Sequence, residues 1–247
     1  MSFRRWRDHF EKNRLRPAPD LRDARDGVPD DAVVPLARSL AVFQLGESKG
    51  GRLATEIDDI PGLPDDYRAA VKLFIAEEQR HGQLLAASVQ GLGGTLLTTT
   101  WTEHLFVAAR RLLGVRFKLV VLLAAESVGL GFYRTVASRL PAGPLWRCLE
   151  EICEDEVHHL AFHGDAFRGR AWFRRAWYPV AGAATIVVLI DHRKTLRALG
   201  IPMREAAERI FEVLRGVTAD LRDTRTKVEA EPREAEVASR AWEAAGR

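Results

Sequence analysis

The sequence predicts an all-α protein, a four-helix bundle extended by two additional C-terminal helices. Three observations carry this. Apolar residues recur at the three- and four-residue spacing of a helix face, and no run alternates as a strand does. Pro- and Gly-rich punctuation separates the segments, at Pro61-Gly62-Leu63-Pro64, over 91–100 and at Pro141-Ala142-Gly143-Pro144. Between 31 and 168 the same pattern occurs twice: an isolated Glu, then about 30 residues later an acidic pair and a His.

Residues 1–30 form a basic N-terminal arm with a short amphipathic helix presenting Phe3, Trp6 and Phe10. The first bundle helix spans about 31–57 after Asp30-Asp31, with Pro35 tolerated near its start. Its stripe is Val33, Leu36, Leu40, Phe43 and Glu47. The second opens on Asp65-Asp66, acids suited to a helix N-terminus, and its stripe is Tyr67, Val71, Phe74, Glu78, His81 and Leu85. After a loop at 91–100, Thr100-Trp101-Thr102-Glu103 reads as a capping box. A helix then covers 101–138 with a break near Gly114, and its stripe is Leu112, Leu119, Leu122, Glu126, Gly129 and Tyr133. The fourth carries Leu145, Leu149, Ile152, Glu156, His159 and His163. A helical extension follows over 169–230, in segments 170–198 and 202–228, and a charged tail at 231–247.

The chemistry sits on the stripes. Glu77-Glu78-Gln79-Arg80-His81 and Asp155-Glu156-Val157-His158-His159 each place a Glu and a His at i and i+3, on one helix face, so each offers two metal ligands in one direction. Glu47 precedes Glu78 by 31 residues and Glu126 precedes Glu156 by 30. Each pair is about equidistant from its turn, so in an antiparallel hairpin its members lie at one height. The stretch from Gly91 to about 115 serves as the crossover between hairpins. One Glu on an apolar stripe is ordinarily a surface residue or a paired buried acid. Four of them with two His need cations, because four buried negative charges are otherwise prohibitive. Carboxylates and imidazoles suit Fe(II) and Mn(II).

The duplicated Glu…Glu-x-x-His pattern resembles the ferritin-like di-iron carboxylate superfamily, over roughly residues 31–168. Ala76-Glu77-Glu78-Gln79-Arg80-His81-Gly82 is similar to the Asp/Glu-Glu-x-Arg-His signature of acyl-carrier-protein desaturases and bacterial multicomponent monooxygenases. As a whole the chain looks most like bacterial ferritin-like proteins whose family name carries no reaction. The resemblance implies six metal ligands: Glu47, Glu78, His81, Glu126, Glu156 and His159. It implies Glu77 and Asp155 as acceptors for the imidazoles of the opposite half, with two Fe ions, or Mn and Fe, as cofactor. The second motif departs from the pattern at His158, where an Arg is expected. Gly129 and Leu130 stand where desaturases and monooxygenases tend to place a Thr, and Leu85 where the ribonucleotide reductase radical subunit has its Tyr, which argues against that role. Tyr133 is either a redox partner or core; His163 is a third imidazole, a supporting residue or core.

The implied function is an O2-activating non-haem oxidase or oxygenase acting on a small-molecule or lipid-like substrate, with electrons from an external ferredoxin or reductase. The alternatives are ferroxidase, metal storage or detoxification, and hydroxylation of a modified base in transfer RNA. Small residues at Gly46, Gly50, Gly51 and Gly129 either leave room for substrate or serve close helix packing. The 247 residues suit one domain with appendages. Six Lys stand against 31 Arg at a net charge of only +3, which permits an anionic partner or reflects genomic base composition. No nucleic-acid-binding motif is present, and nucleic acid is not expected as a partner. Arg-flanked aromatics at 172–178, like the Phe3/Trp6/Phe10 face, either pack on the bundle or touch a membrane surface or partner. A homodimer is open. Asp191-His192 reads as an exposed helix end. Cys148 and Cys153 fit neither a disulfide framework nor a thiolate site, the N-terminus lacks a secretory apolar core, and the longest apolar run, 176–190, is short of a span. The expected location is cytoplasmic.

Overall fold

The computed structural model describes residues 3–48, 51–101, 114–167 and 170–222, together with 234, 237, 238, 240, 241 and 244. Among these residues the protein is all helix, with no strand. The helices are α1 (Arg4–Asn13), α2 (Asp30–Glu47), α3 (Gly51–Glu56), α4 (Asp65–Gly91), α5 (Gly114–Ala137), α6 (Pro144–Phe167), α7 (Ala171–Asp191), α8 (Arg193–Ala198) and α9 (Met203–Arg222). The capping box and most of the crossover lie outside the described residues, as does most of the tail.

Two helical pairs form the centre, α2 with α4 and α5 with α6, and α4 meets α6 between them. The ring of Phe43 on α2 lies 5.1 Å from Phe132 and 4.9 Å from Tyr133 on α5, closing the fourth side. Helices α7 and α9 cover α5 from outside. The approach of α9 is close: a Cβ on Gly131 would meet Ile210 Cα at 2.8 Å, so only glycine fits there. Residues Leu119–Ala137 are long and apolar enough to cross a membrane (mean hydropathy 1.5), but 83% of that window is buried as the core helix α5. That stretch, not the shorter run at 176–190, is the more span-like in length and composition.

The N-terminal arm belongs to the core. Helix α1 packs along α4 and buries Phe3, Trp6 and Phe10. Their rings gather about Phe162 of α6, at 6.2, 5.9 and 5.5 Å, and against Tyr67 and Phe74 of α4, which lie 5.6 and 6.1 Å from the same ring. Phe162→Ala should cost about 3–5 kcal/mol, the usual penalty for a large cavity in a packed aromatic core. Urea denaturation measures it, and a loss below about 1 kcal/mol contradicts this packing. In the aromatic–arginine segment Phe173 and Trp177 are fully buried, Tyr178 stands half exposed, and Phe173 stacks on Phe167 at 4.3 Å.

Two boundaries differ from expectation. The first bundle helix stops at Glu47 and restarts at Gly51, where the sequence reads as one helix over 31–57. Gly46, Gly50 and Gly51 lower the local helix propensity enough to explain the break. The segment 170–198 is likewise two helices, meeting at His192. That residue is no exposed end. It is buried, its Nδ1 lies 2.8 Å from Ser39 Oγ, and its ring stacks on Phe43 at 4.9 Å. Burial lowers its pKa to about 4, so it stays neutral.

Candidate metal centre

Helix α4 presents Glu77, Glu78 and His81 toward α6, which answers with Asp155, Glu156 and His159, and all six side chains are buried. The i, i+3 spacing makes this local geometry inevitable once the apolar stripes pack face to face. One ligand atom from each of Glu78, His81, Glu156 and His159 lies within 4.8 Å of the other three.

The imidazoles are held crosswise. His81 Nε2 donates to Asp155 Oδ2 at 3.1 Å, and His159 Nε2 donates to Glu77 Oε2 at 2.9 Å. An ionised carboxylate only accepts, so the ring N–H is fixed at Nε2 and, in the neutral ring, the lone pair is left at Nδ1. His81 Nδ1 lies 3.6 Å from Glu78 and 3.5 Å from Glu156, and His159 Nδ1 lies 2.9 and 3.7 Å from the same two residues. Each of these glutamates therefore reaches both rings.

Glu47 and Glu126 flank this group. Glu47, at the end of α2, is half-buried and its carboxyl hydrogen-bonds to Glu78. Burial and then the charge of Glu78 push its pKa well above the usual carboxylate range. Glu126 is buried on α5, 3.4 Å from His163 Nε2. Burial raises its pKa, His163 offsets part of this, and the charges of Glu78 and Glu156 add to it. His163 thus serves Glu126 and stands outside the four-residue group. Burial alone would lower His81, but its bonds to Asp155 and Glu156 more than offset this and bring it to about 9. His159 goes well above its ordinary value for the same reason, through Glu156, Glu77 and Glu78. Glu78 falls to about 2, because the two imidazoles outweigh its burial. These shifts of His81, His159 and Glu78 favour the charged form of each beside the other two.

The hydrogen-bond accounting is what singles the place out. Glu78 Oε1, Glu156 Oε2, both Glu126 oxygens, His81 Nδ1, His159 Nδ1 and His163 Nε2 are buried with no partner in hydrogen-bond geometry among the described residues, and meet one another only as ion-pair contacts at 2.9–3.7 Å. One such atom costs about 1–3 kcal/mol, and native interiors hold few of them. Four of the residues that carry them, Glu78, His81, Glu156 and His159, form a group that could hold a metal ion. Tyr133 adds a buried hydroxyl, also without a partner; burial and then the charges of Glu47, Glu156 and Glu78 raise its pKa well above 10.

No family model, no characterised protein and no solved structure matches this chain. The geometry alone must carry the chemistry.

Neither Gly46 nor Gly129 marks a close helix–helix approach. A Cβ at Gly129 would make ordinary contacts with Tyr133 and Phe43 at 3.7 and 3.8 Å, and at Gly46 nothing lies within 4 Å of it. Gly50 falls outside the described residues. Where the second motif lacks its Arg, the His158 ring lies tilted against His9 at 4.2 Å and its Nδ1 lies 2.8 Å from the Glu154 carbonyl. One residue of the centre has no sequence signal at all. Arg16, in the loop after α1, bonds both oxygens of Asp155 and lies 3.6 Å from Glu77. As one of 31 arginines in an unpatterned loop it cannot be picked out by spacing.

Proposed function

We propose that this protein is a ferritin-like di-metal carboxylate oxidoreductase, an O2-activating oxidase or oxygenase of an organic substrate that holds two Fe ions or an Mn/Fe pair. The observation that supports it most is the crossed pair of Glu-x-x-His motifs. Both Nε2 atoms are tied to carboxylates, and both Nδ1 atoms face two shared glutamates. Glu47, Glu78, His81, Glu126, Glu156 and His159 would hold the two ions. Two divalent ions carry the positive charge that four ionised glutamates require. A redox-active pair held there supplies the electron capacity that O2 chemistry needs.

The remaining residues prepare the place. Glu77 and Asp155 fix the imidazole tautomers. Phe74 packs edge-on against the rings of His159 and His163, at 4.7 and 5.0 Å, and helps to keep water away. Tyr133 keeps its proton and faces the carboxylates, so it can deliver a hydrogen at the cluster. An external ferredoxin or reductase would supply electrons.

Repeated anaerobic loading with Fe(II) followed by O2 tests the enzyme reading. Uptake should stop at two ions per chain, with O2 consumed in proportion to added reductant. Iron accumulating far beyond two, in a large shell on gel filtration, would instead make this a storage protein. Tyr133→Phe should keep both ions, since the hydroxyl is not a ligand. It should slow oxidation while leaving metal-free stability equal or up to about 1 kcal/mol higher, because it removes an unsatisfied buried group.

A further inference from the structure

We infer that the N-terminal arm is a working part of the metal centre and that Arg16 is the positioning residue that fixes both ligand imidazoles at once. The inference rests on the di-metal reading of the site.

The geometry behind the two rings forms a closed path. His81 bonds Asp155, Asp155 bonds Arg16, Arg16 lies 3.6 Å from Glu77, and Glu77 bonds His159. One guanidinium nitrogen, Nη2, takes both oxygens of Asp155 and also faces Glu77 Oε1, so a single donor group spans the two carboxylates. Among the described residues no other Lys or Arg pairs with either carboxylate. The arginine inside the first motif does something else: Arg80 pairs with Glu151 and reaches the Pro17 carbonyl at 3.4 Å, tethering the arm beside Arg16.

The arm is seated by contacts of its own. Trp6 Nε1 donates to Asp165 at 3.0 Å, Arg5 pairs with the same carboxylate, and Phe10 lies against the His159 ring at 5.8 Å. Docking therefore brings a wall and a cation to the site together. Residues that orient ligand imidazoles typically change metal affinity by 10–100-fold. Coupling of this kind is reciprocal: if the docked arm tightens metal binding, bound metal must hold the arm down by the same factor. A reporter is built in, since Arg14 and Leu15 are exposed and offer a trypsin site beside Arg16.

The test uses the full chain with Fe(II) under anaerobic competition against a chromogenic chelator. Arg16→Ala should weaken binding roughly 10–100-fold, and Arg16→Lys should recover only part of it. Millimolar guanidinium should restore part of the alanine variant's affinity, a rescue that a merely structural role would not show. In the wild type, Fe(II) should slow tryptic cleavage after Arg14. Should Arg16→Ala not fold, the lysine variant and the wild-type cleavage rates decide alone. A wild type that binds two ions with no change in cleavage, or an alanine variant of unaltered affinity, overturns the inference and leaves the metal centre standing. A wild type that binds no metal brings down the di-metal reading itself.

Discussion

Glu126→Ala and Glu156→Ala should each abolish stoichiometric metal binding, by different physical routes. Glu126 is a buried carboxylate with neither oxygen hydrogen-bonded, its pKa raised first by burial. Without metal it is a liability, so its removal should leave the metal-free protein as stable as before or about 1–3 kcal/mol more stable. Glu156 lies between both imidazoles, 3.5 Å from His81 Nδ1 and 3.7 Å from His159 Nδ1. Its removal takes a counter-charge from two buried rings, and the metal-free protein should lose stability. Both variants should lose the rise in melting temperature that bound metal gives the wild type. Metal analysis paired with thermal denaturation reads both effects, and two full equivalents of metal in both variants would sink the ligand assignment.

Metal-free and metal-loaded protein should respond to pH in opposite directions. His81 titrates at about 9 when folded, above the 6.5 of the unfolded chain. Its contribution is complete below pH 6.5 and gone once pH passes about 9, and His159 shifts the same way. At about 1.4 kcal/mol per pKa unit, His81 alone is worth on the order of 3 kcal/mol. Glu78 runs the other way: lowered to about 2, it stabilises fully above 4.5 and loses that contribution as pH falls through 2. Ions must displace the protons at both Nδ1 atoms, so metal binding releases protons and tightens as pH rises. Urea denaturation between pH 6 and 9 should therefore show the metal-free protein weakening while the metal increment grows. Metal-free stability that stays flat over that window contradicts the buried imidazolium cluster.

The helical periodicity made most of the fold legible. Stripes such as Tyr67, Val71, Phe74, Glu78 and Leu85 face inward as their spacing requires, and the i, i+3 motifs bring Glu78, His81, Glu156 and His159 together. What periodicity could not reach are contacts between distant segments. The amphipathic helix with Phe3, Trp6 and Phe10 was readable, but its seat on Phe162 depends on tertiary packing. Asp191-His192 carries helix-end composition, yet contact with Ser39, 153 residues away, buries the histidine. Arg16 shows the same limit at the site, since its partners Glu77 and Asp155 lie on two other helices.

The most direct measurement is elemental analysis of the protein reconstituted anaerobically with Fe(II) and Mn(II) and then desalted. Two ions per chain, with a ratio that identifies an Fe/Fe or Mn/Fe pair, is the result that the proposed di-metal centre predicts. A desalted protein that retains no metal would contradict the account at its centre, leaving a buried charge cluster in an all-helical fold.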